Sequence, residues 1–229
     1  MDLLEFEKRV KLRGVLVFIP VNFLKYKPLN NTDMYTINFV NESQMQGDFV
    51  IFQQSPWPTV IYPLAWETIR AAPNGMPIRF TWEKDYVFFS AQSGQLAPGV
   101  RIVPCCQVEA NLDSMNEVTL EADFRLINAR PGQPGQFAIF ESGQIQPETG
   151  ATGIGIMGYP IFAAQVVPNL TQIMPAVEDT YFVVFGNNYA QGEVLDMNRV
   201  MSNAARVAFP SSGGEVTVIL QENGSFRVE

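Results

Sequence analysis

The sequence predicts an all-β fold: a single sandwich-like domain of largely antiparallel strands behind an N-terminal extension. Three observations predict it. Apolar residues recur with period two from Tyr35 onward, the signature of half-buried strands. Gly and Pro, 17 and 16 residues, break the chain at short intervals. Helical periodicity is scarce. With 17 Phe, 7 Tyr and 3 Trp in 229 residues, a large core is within reach and disorder is excluded.

The extension is read as residues 1–33 and the domain as 34–229. Leu3, Phe6 and Val10 fall at helical spacing, so residues 2–12 are expected to form a short amphipathic helix. The apolar run Val15–Leu24 superficially resembles a secretion leader. Asp2, Glu5 and Glu7 stand where a leader is basic, and Pro20 and Asn22 break the run. It is also too short to span a bilayer. The expectation is a chain that stays in the cytoplasm. Met34 directly precedes the first strong strand and could be an alternative start.

Tyr35–Asn41 alternates, reaches the polar stretch Glu42–Gly47, and resumes as Asp48–Phe52, in the manner of a hairpin. Prolines 56, 58 and 63 interrupt the next stretch. Leu64–Ala72 and Asp196–Ala205 could hold a helical turn or two. Ile78–Glu83 and Tyr86–Ser90 read as strands around Lys84-Asp85. Glu117–Leu126 carries the longest alternation and predicts one half-buried strand. Its outward face would hold Glu121 and Asp123 beside Arg125. Two carboxylates on a solvated face lack the desolvation a general acid needs, so catalysis by them is not expected. Ile161–Val167 and Tyr181–Phe185 are β-branched and aromatic and read as buried strands. The chain ends in a hairpin around Asn223-Gly224, which supplies the positive φ of a tight turn. No internal repeat is visible.

Several chemistries are excluded by composition. The chain has no histidine, which removes Ser-His-Asp triads, histidine zinc sites and histidine pH switches together. Net charge is -8. Residues 1–33 hold six basic and four acidic residues, so the remainder is strongly acidic and unsuited to nucleic acid. An acidic body also opposes anionic membranes. The adjacent cysteines, Cys105 and Cys106, read as reduced thiols, at least one of them buried. Gly153-Ile-Gly155-Ile-Met-Gly158 fits a dinucleotide fingerprint, but Pro160 stands where the helix should start. A glycine strand packed closely against a neighbouring backbone is the better reading. Asn111, Asp113 and Glu117 read as a polar loop rather than a calcium site. No catalytic residue, metal ligand or cofactor is expected.

One polar loop stands out. Phe185-Gly-Asn-Asn-Tyr-Ala-Gln-Gly-Glu193 offers Asn187, Asn188, Tyr189 and Gln191: planar amides beside an aromatic, the chemistry of a sugar site. Trp57, between two prolines, is a second candidate loop aromatic. Trp66 and Trp82 are expected in the core.

The body resembles the RhiA family of bacterial proteins. The resemblance rests on Tyr35-Thr-Ile-Asn-Phe-Val-Asn-Glu-Ser43, Phe49-Val-Ile-Phe-Gln-Gln54, Leu64-Ala-Trp66, Phe80-Thr-Trp82 with Asp85-Tyr86, Ser93-Gly-Gln-Leu-Ala-Pro-Gly99, Phe185-Gly186 and Gln191-Gly-Glu-Val-Leu-Asp196. It covers roughly 34–229, and residues 1–33 depart from it. The resemblance implies a bacterial protein of the kind first described as rhizosphere-expressed and under quorum-sensing control. It implies no catalytic residues. Two functions are expected from this reading. The first is a non-enzymatic, self-associating structural or storage protein, a homo-oligomer whose exposed strand edges must be covered. The second is a binding module for carbohydrate or another small ligand at Trp57 and the Asn187–Gln191 loop.

Overall fold

The computed structural model describes residues 10–12, 15–17, 34–56, 60–71, 75–176, 178–209 and 213–229. Its chain divides into two units, residues 1–30 and 31–229. In the first, β1 (Val10–Leu12) pairs antiparallel with β2 (Val15–Val17). The helix expected over residues 2–12 is therefore a strand at its described end, and its remainder lies outside the described residues.

The regular secondary structure described in the second unit is all strand apart from one helical turn, as the periodicity predicts. Sheet I has the order β19 (Phe226–Val228), β18 (Gly214–Leu220), β3 (Tyr35–Asn41), β7 (Ile78–Trp82). Sheet II runs β17 (Ala205–Ala208), β16 (Thr180–Gly186), β4 (Asp48–Phe52), β6 (Glu67–Arg70). Sheet III runs β5 (Tyr62–Pro63), β14 (Tyr159–Gln165), β13 (Ala151–Ile156), β8 (Tyr86–Ala91), β9 (Cys106–Ala110). Sheet IV runs β11 (Leu126–Arg130), β10 (Glu117–Leu120), β12 (Gln136–Glu141), β15 (Thr171–Pro175). The helix α1 (Met197–Val200) is one turn, capped by Asp196, whose carboxylate accepts from the amides of Asn198 and Arg199.

Sheets I and II face each other through aromatic side chains. Phe39 and Phe49 have ring centroids 4.9 Å apart, and Trp82 and Tyr181 5.0 Å apart. Sheets III and IV meet through Phe88 and Phe137, 5.6 Å apart. Each such pair contributes about 0.5–1.5 kcal/mol beyond its buried area. One cluster of buried side chains runs through all four sheets. Trp66 and Trp82 sit in it, as expected. Their indole N–H groups are satisfied, Trp66 donating to Ile156 O and Trp82 to Tyr181 OH, each at 3.2 Å. Burial pushes the Tyr181 phenol far up, so it stays neutral and holds this bond.

The two sandwiches have the same strand plan. In sheet I the pairs read antiparallel, parallel, antiparallel: β19 with β18, β18 with β3, β3 with β7. In sheet IV they read the same: β11 with β10, β10 with β12, β12 with β15. Sheet II (β17-β16-β4-β6) matches the β9-β8-β13-β14 part of sheet III, all antiparallel. An internal repeat exists after all, carried by topology rather than by residue identity.

Several local expectations are corrected. Glu117–Leu126 is not one strand: β10 ends at Leu120 and the chain turns through Glu121–Arg125 into β11. β3 and β4 are not a hairpin but belong to different sheets, with residues 42–47 arching between them. Leu64–Ala72 holds β6, not a helical turn. Other readings hold. Asp123 pairs with Arg125 on an exposed turn. Gly153 and Gly155 lie in β13 where a Cβ would press on Phe162 O and Tyr159 O, the close backbone approach expected there.

Candidate functional site

The site is built around the 42–47 arch. Asn41, at the end of β3, is buried, and its amide organises the turn. Its Oδ1 accepts from the Ser43 amide at 3.0 Å and from Ser43 Oγ at 2.7 Å, and its Nδ2 donates to Met45 O at 3.0 Å. Ser43 Oγ in turn accepts from the Met45 amide at 3.1 Å. Four bonds from one short stretch fix the loop, so its exposed side chains are presented from an ordered backbone.

Two adjoining cavities of about 430 and 670 Å³ flank this arch and share Ser43 and Gln44. The smaller is lined by Gln44, Gln46, Asp48, Arg70 and Asn187, among others. The larger adds Glu42, Gly75, Gln221, Glu222 and Asn223. Asp48 and Arg70 are cross-strand partners on β4 and β6. Gln44, Gln46 and Asn187 are exposed, and their amides bond to nothing else among the described residues. Gly47 lets the arch lie against the 185–187 segment: a Cβ there would sit 2.9 Å from Phe185 Cζ and 3.0 Å from Gly186 O.

The chemistry is that of amides, each with a donor and an acceptor side. One carboxylate and one guanidinium complete the smaller cavity. Glu42 and Glu222 on the larger side repel anions, and a single arginine is a poor phosphate trap. Among the described residues no three His, Cys, Asp or Glu side chains gather as a metal cage.

The second sandwich closes the same place. Glu42 donates its amide to Leu220 O, and Ser142 donates to Leu120 O in the matching position. Gln44-Met45-Gln46 thus corresponds to Gln144-Ile145-Gln146. Met45 is 43% exposed, whereas Ile145 is 2% exposed. Gly224 in the first sandwich corresponds to Phe124 in the second, whose ring is buried against Gly150. The arch is open in one sandwich and filled in the other.

The residues named from sequence scatter. Asn187 lines the smaller cavity. Asn188 is exposed at the turn with φ 70°. Tyr189 is half-buried: it covers Gly186 and packs on the cluster containing Val50, Phe52 and Leu195. The Gln191 amide donates to Trp66 O at 3.2 Å and Glu67 Oε2 at 3.0 Å, so it braces β6. Burial raises the Glu67 carboxyl, and the Thr68 amide and Gln191 partly offset this. Trp57 lies outside the described residues. Gln44, Gln46, Asp48 and Arg70 were missed. Their signal was the polar run Glu42–Gly47 between two apolar strands.

Among the described residues, two further cavities lie elsewhere in the fold. One of about 410 Å³ is lined by Arg101, Val103, Cys105, Gln107, Tyr159 and Gln191, among others. Neither thiol is fully buried, which corrects the sequence reading: Cys105 is exposed and Cys106 half-buried, both free. The other, about 480 Å³, is lined by Gln53, Gln54, Phe162, Glu178, Phe182 and Arg206, among others.

The RhiA family model matches residues 32–229, all four sheets and both cavities of the arch. The chain belongs to the RhiA family. It is similar to Protein RhiA of Rhizobium leguminosarum bv. viciae, 27% identical over 202 residues that cover 85% of each chain. No solved structure matches. The motifs that carry the RhiA resemblance are mostly strand and turn residues, and the described residues contain no helix long and apolar enough to cross a membrane.

Proposed function

We propose that this RhiA family member is a non-enzymatic binding module for a neutral, polyhydroxylated ligand, an oligosaccharide by class. The observation that carries the reading is the open, pre-bonded arch of Gln44 and Gln46 beside Asn187, Asp48 and Arg70. Amides matched to hydroxyls give orientation and selectivity, since an unmatched buried polar group costs about 1–3 kcal/mol. The test is a glycan array followed by calorimetry with the full chain. Gln44→Ala with Asn187→Ala should weaken binding of the best neutral glycan at least tenfold. Binding of no glycan, or binding unchanged in the double variant, overturns the reading. The two free thiols support a reducing compartment, and we place the protein in the cytoplasm.

A second reading is self-association into a structural or storage assembly. It is supported by Val103 and Tyr159, exposed at 63% and 44% on the rim of the cleft that also holds Pro104 and Pro160. Light scattering of the full chain and of a version starting at Met34 tests it. A monomer in both removes this reading.

A further inference from the structure

Each sandwich is assembled from both halves of the chain. Residues 34–130 give β3, β4, β6 and β7 to the first sandwich and β5 and β8–β11 to the second. Residues 136–229 give β12–β15 to the second sandwich and β16–β19 to the first. The matching strand plan means each half carries one complete set of the eight matched strands, with β5 additional to the first half. Closing it alone would pair β3 with β10 and β4 with β8. The structure instead pairs β3 with β18 and β4 with β16, and β12 with β10 and β13 with β8.

The reason is legible in the crossings. β7 passes to β8 through residues 83–85 and β15 to β16 through 176–179, both too short to fold a strand set back on its own partner. The two crossings also touch. Lys84 of the first pairs with Asp179 of the second, and Tyr35 OH donates to the same Asp179 Oδ1 at 2.6 Å. Covalent continuity between the halves rests on Pro131-Gly-Gln-Pro-Gly135 alone, a loop between β11 and β12.

We infer that the chain is a fused exchanged pair: residues 34–130 and 136–229 are obligate partners of each other, and a second copy of this chain can supply either partner. The inference rests on strand topology and is independent of the ligand reading. It gives the molecule an interaction surface as large as its own core, directed at its own sequence. Exchange of an identical element between two copies of a chain is a low-cost route to dimers.

The test uses the full chain with a protease recognition sequence placed in the 131–135 loop and cut after folding. The nicked protein is expected to run as one particle of unchanged mass and to unfold in one cooperative transition. Two nicked preparations, one isotopically heavy, are then unfolded together and refolded. Native mass spectrometry should find as many hybrid particles as the two parental forms together. Halves that part under native conditions, unfold separately, or refold without hybrids overturn the inference. The unaltered chain supplies a second measurement should the insertion prevent folding. Refolded at rising concentration, it should yield a growing dimer fraction with the monomer's circular dichroism and tryptophan emission. Absence of that dimer at every concentration overturns the claim that a second copy can serve.

Discussion

Phe124 occupies in the second sandwich the turn position that Gly224 occupies in the first. Both backbones are left-handed, with φ 64° and 79°. Each follows a side chain that caps the turn, Asp123 accepting from the Arg125 amide at 3.2 Å and Asn223 from the Ser225 amide at 2.9 Å. Glycine adopts this conformation freely, whereas a side chain there costs about 1–2 kcal/mol. The Phe124 ring offsets that cost by filling the space beside Gly150. Phe124→Gly is therefore expected to destabilise the protein by about 1–4 kcal/mol, the loss of a buried ring less the relieved strain. Urea unfolding measures it, and an unchanged midpoint would show that the ring plugs nothing.

Asn41 makes a different prediction, on rigidity. Asn41→Ala removes three of the four bonds that hold the 42–47 arch and leaves buried polar groups unmatched. The expected cost is about 1–3 kcal/mol. Affinity for the best glycan should fall with it, because the loop must then be ordered on binding. Hydrogen exchange of the Ser43 and Met45 amides should rise in the same variant, while that of β12 stays as it was.

Strand existence was legible, and pairing was not. Alternation located the strands with one face on the core, such as β10, and β-branched apolar runs located those buried on both faces, such as β14. It ran on through Ala122 and Phe124 because an apolar residue at a turn mimics the next strand position. No Gly, Pro or Asn marked that break. The β3–β4 pairing failed because short arches and hairpins look alike in sequence, and only the distant β16 and β18 decide between them. The repeat was hidden because matching core positions exchange identities. Ile37 and Phe39 correspond to Phe137 and Ile139, all fully buried. Packing needs volume and hydrophobicity, so letters drift while topology stays. At the site, Asn187 was found because it sits beside an aromatic. Gln44 and Gln46 were missed because exposed amides carry no motif.

Gly153 tests the close approach in sheet III. A Cβ there would stand 2.0 Å from Phe162 O and 2.9 Å from the Phe89 ring, so β13 and β14 would have to separate. Gly153→Ala should cost well above the ~1 kcal/mol of an ordinary substitution. Gly135 is the control: its φ of +81° is strained for alanine, but nothing lies within 4 Å. Gly135→Ala should cost only about 1–2 kcal/mol, that of a side chain in this backbone conformation. Equal midpoints in guanidinium for the two variants would contradict the geometry.

Glu141 ends β12 at 5% exposure. Its Oε2 accepts from the Val167 amide at 2.7 Å, and its Oε1 has no partner among the described residues. Burial pushes its carboxyl up to about 7, with the Val167 amide and the Gln172 side chain partly offsetting it. Below its ordinary value of 4.5 both folded and unfolded chains are protonated at this group. Between there and about 7 the folded protein holds a proton that the unfolded chain has released, so stability falls as pH rises. Above that window both states are ionised and the penalty is constant. The slope from one such group is at most about 1.4 kcal/mol per pH unit. Glu141→Gln keeps an acceptor for Val167 and removes the titration. Urea midpoints measured from about pH 5 to 8 should fall in the parent and stay flatter in the variant. The variant should be the more stable protein at the upper end. Parallel curves would place the pH dependence elsewhere.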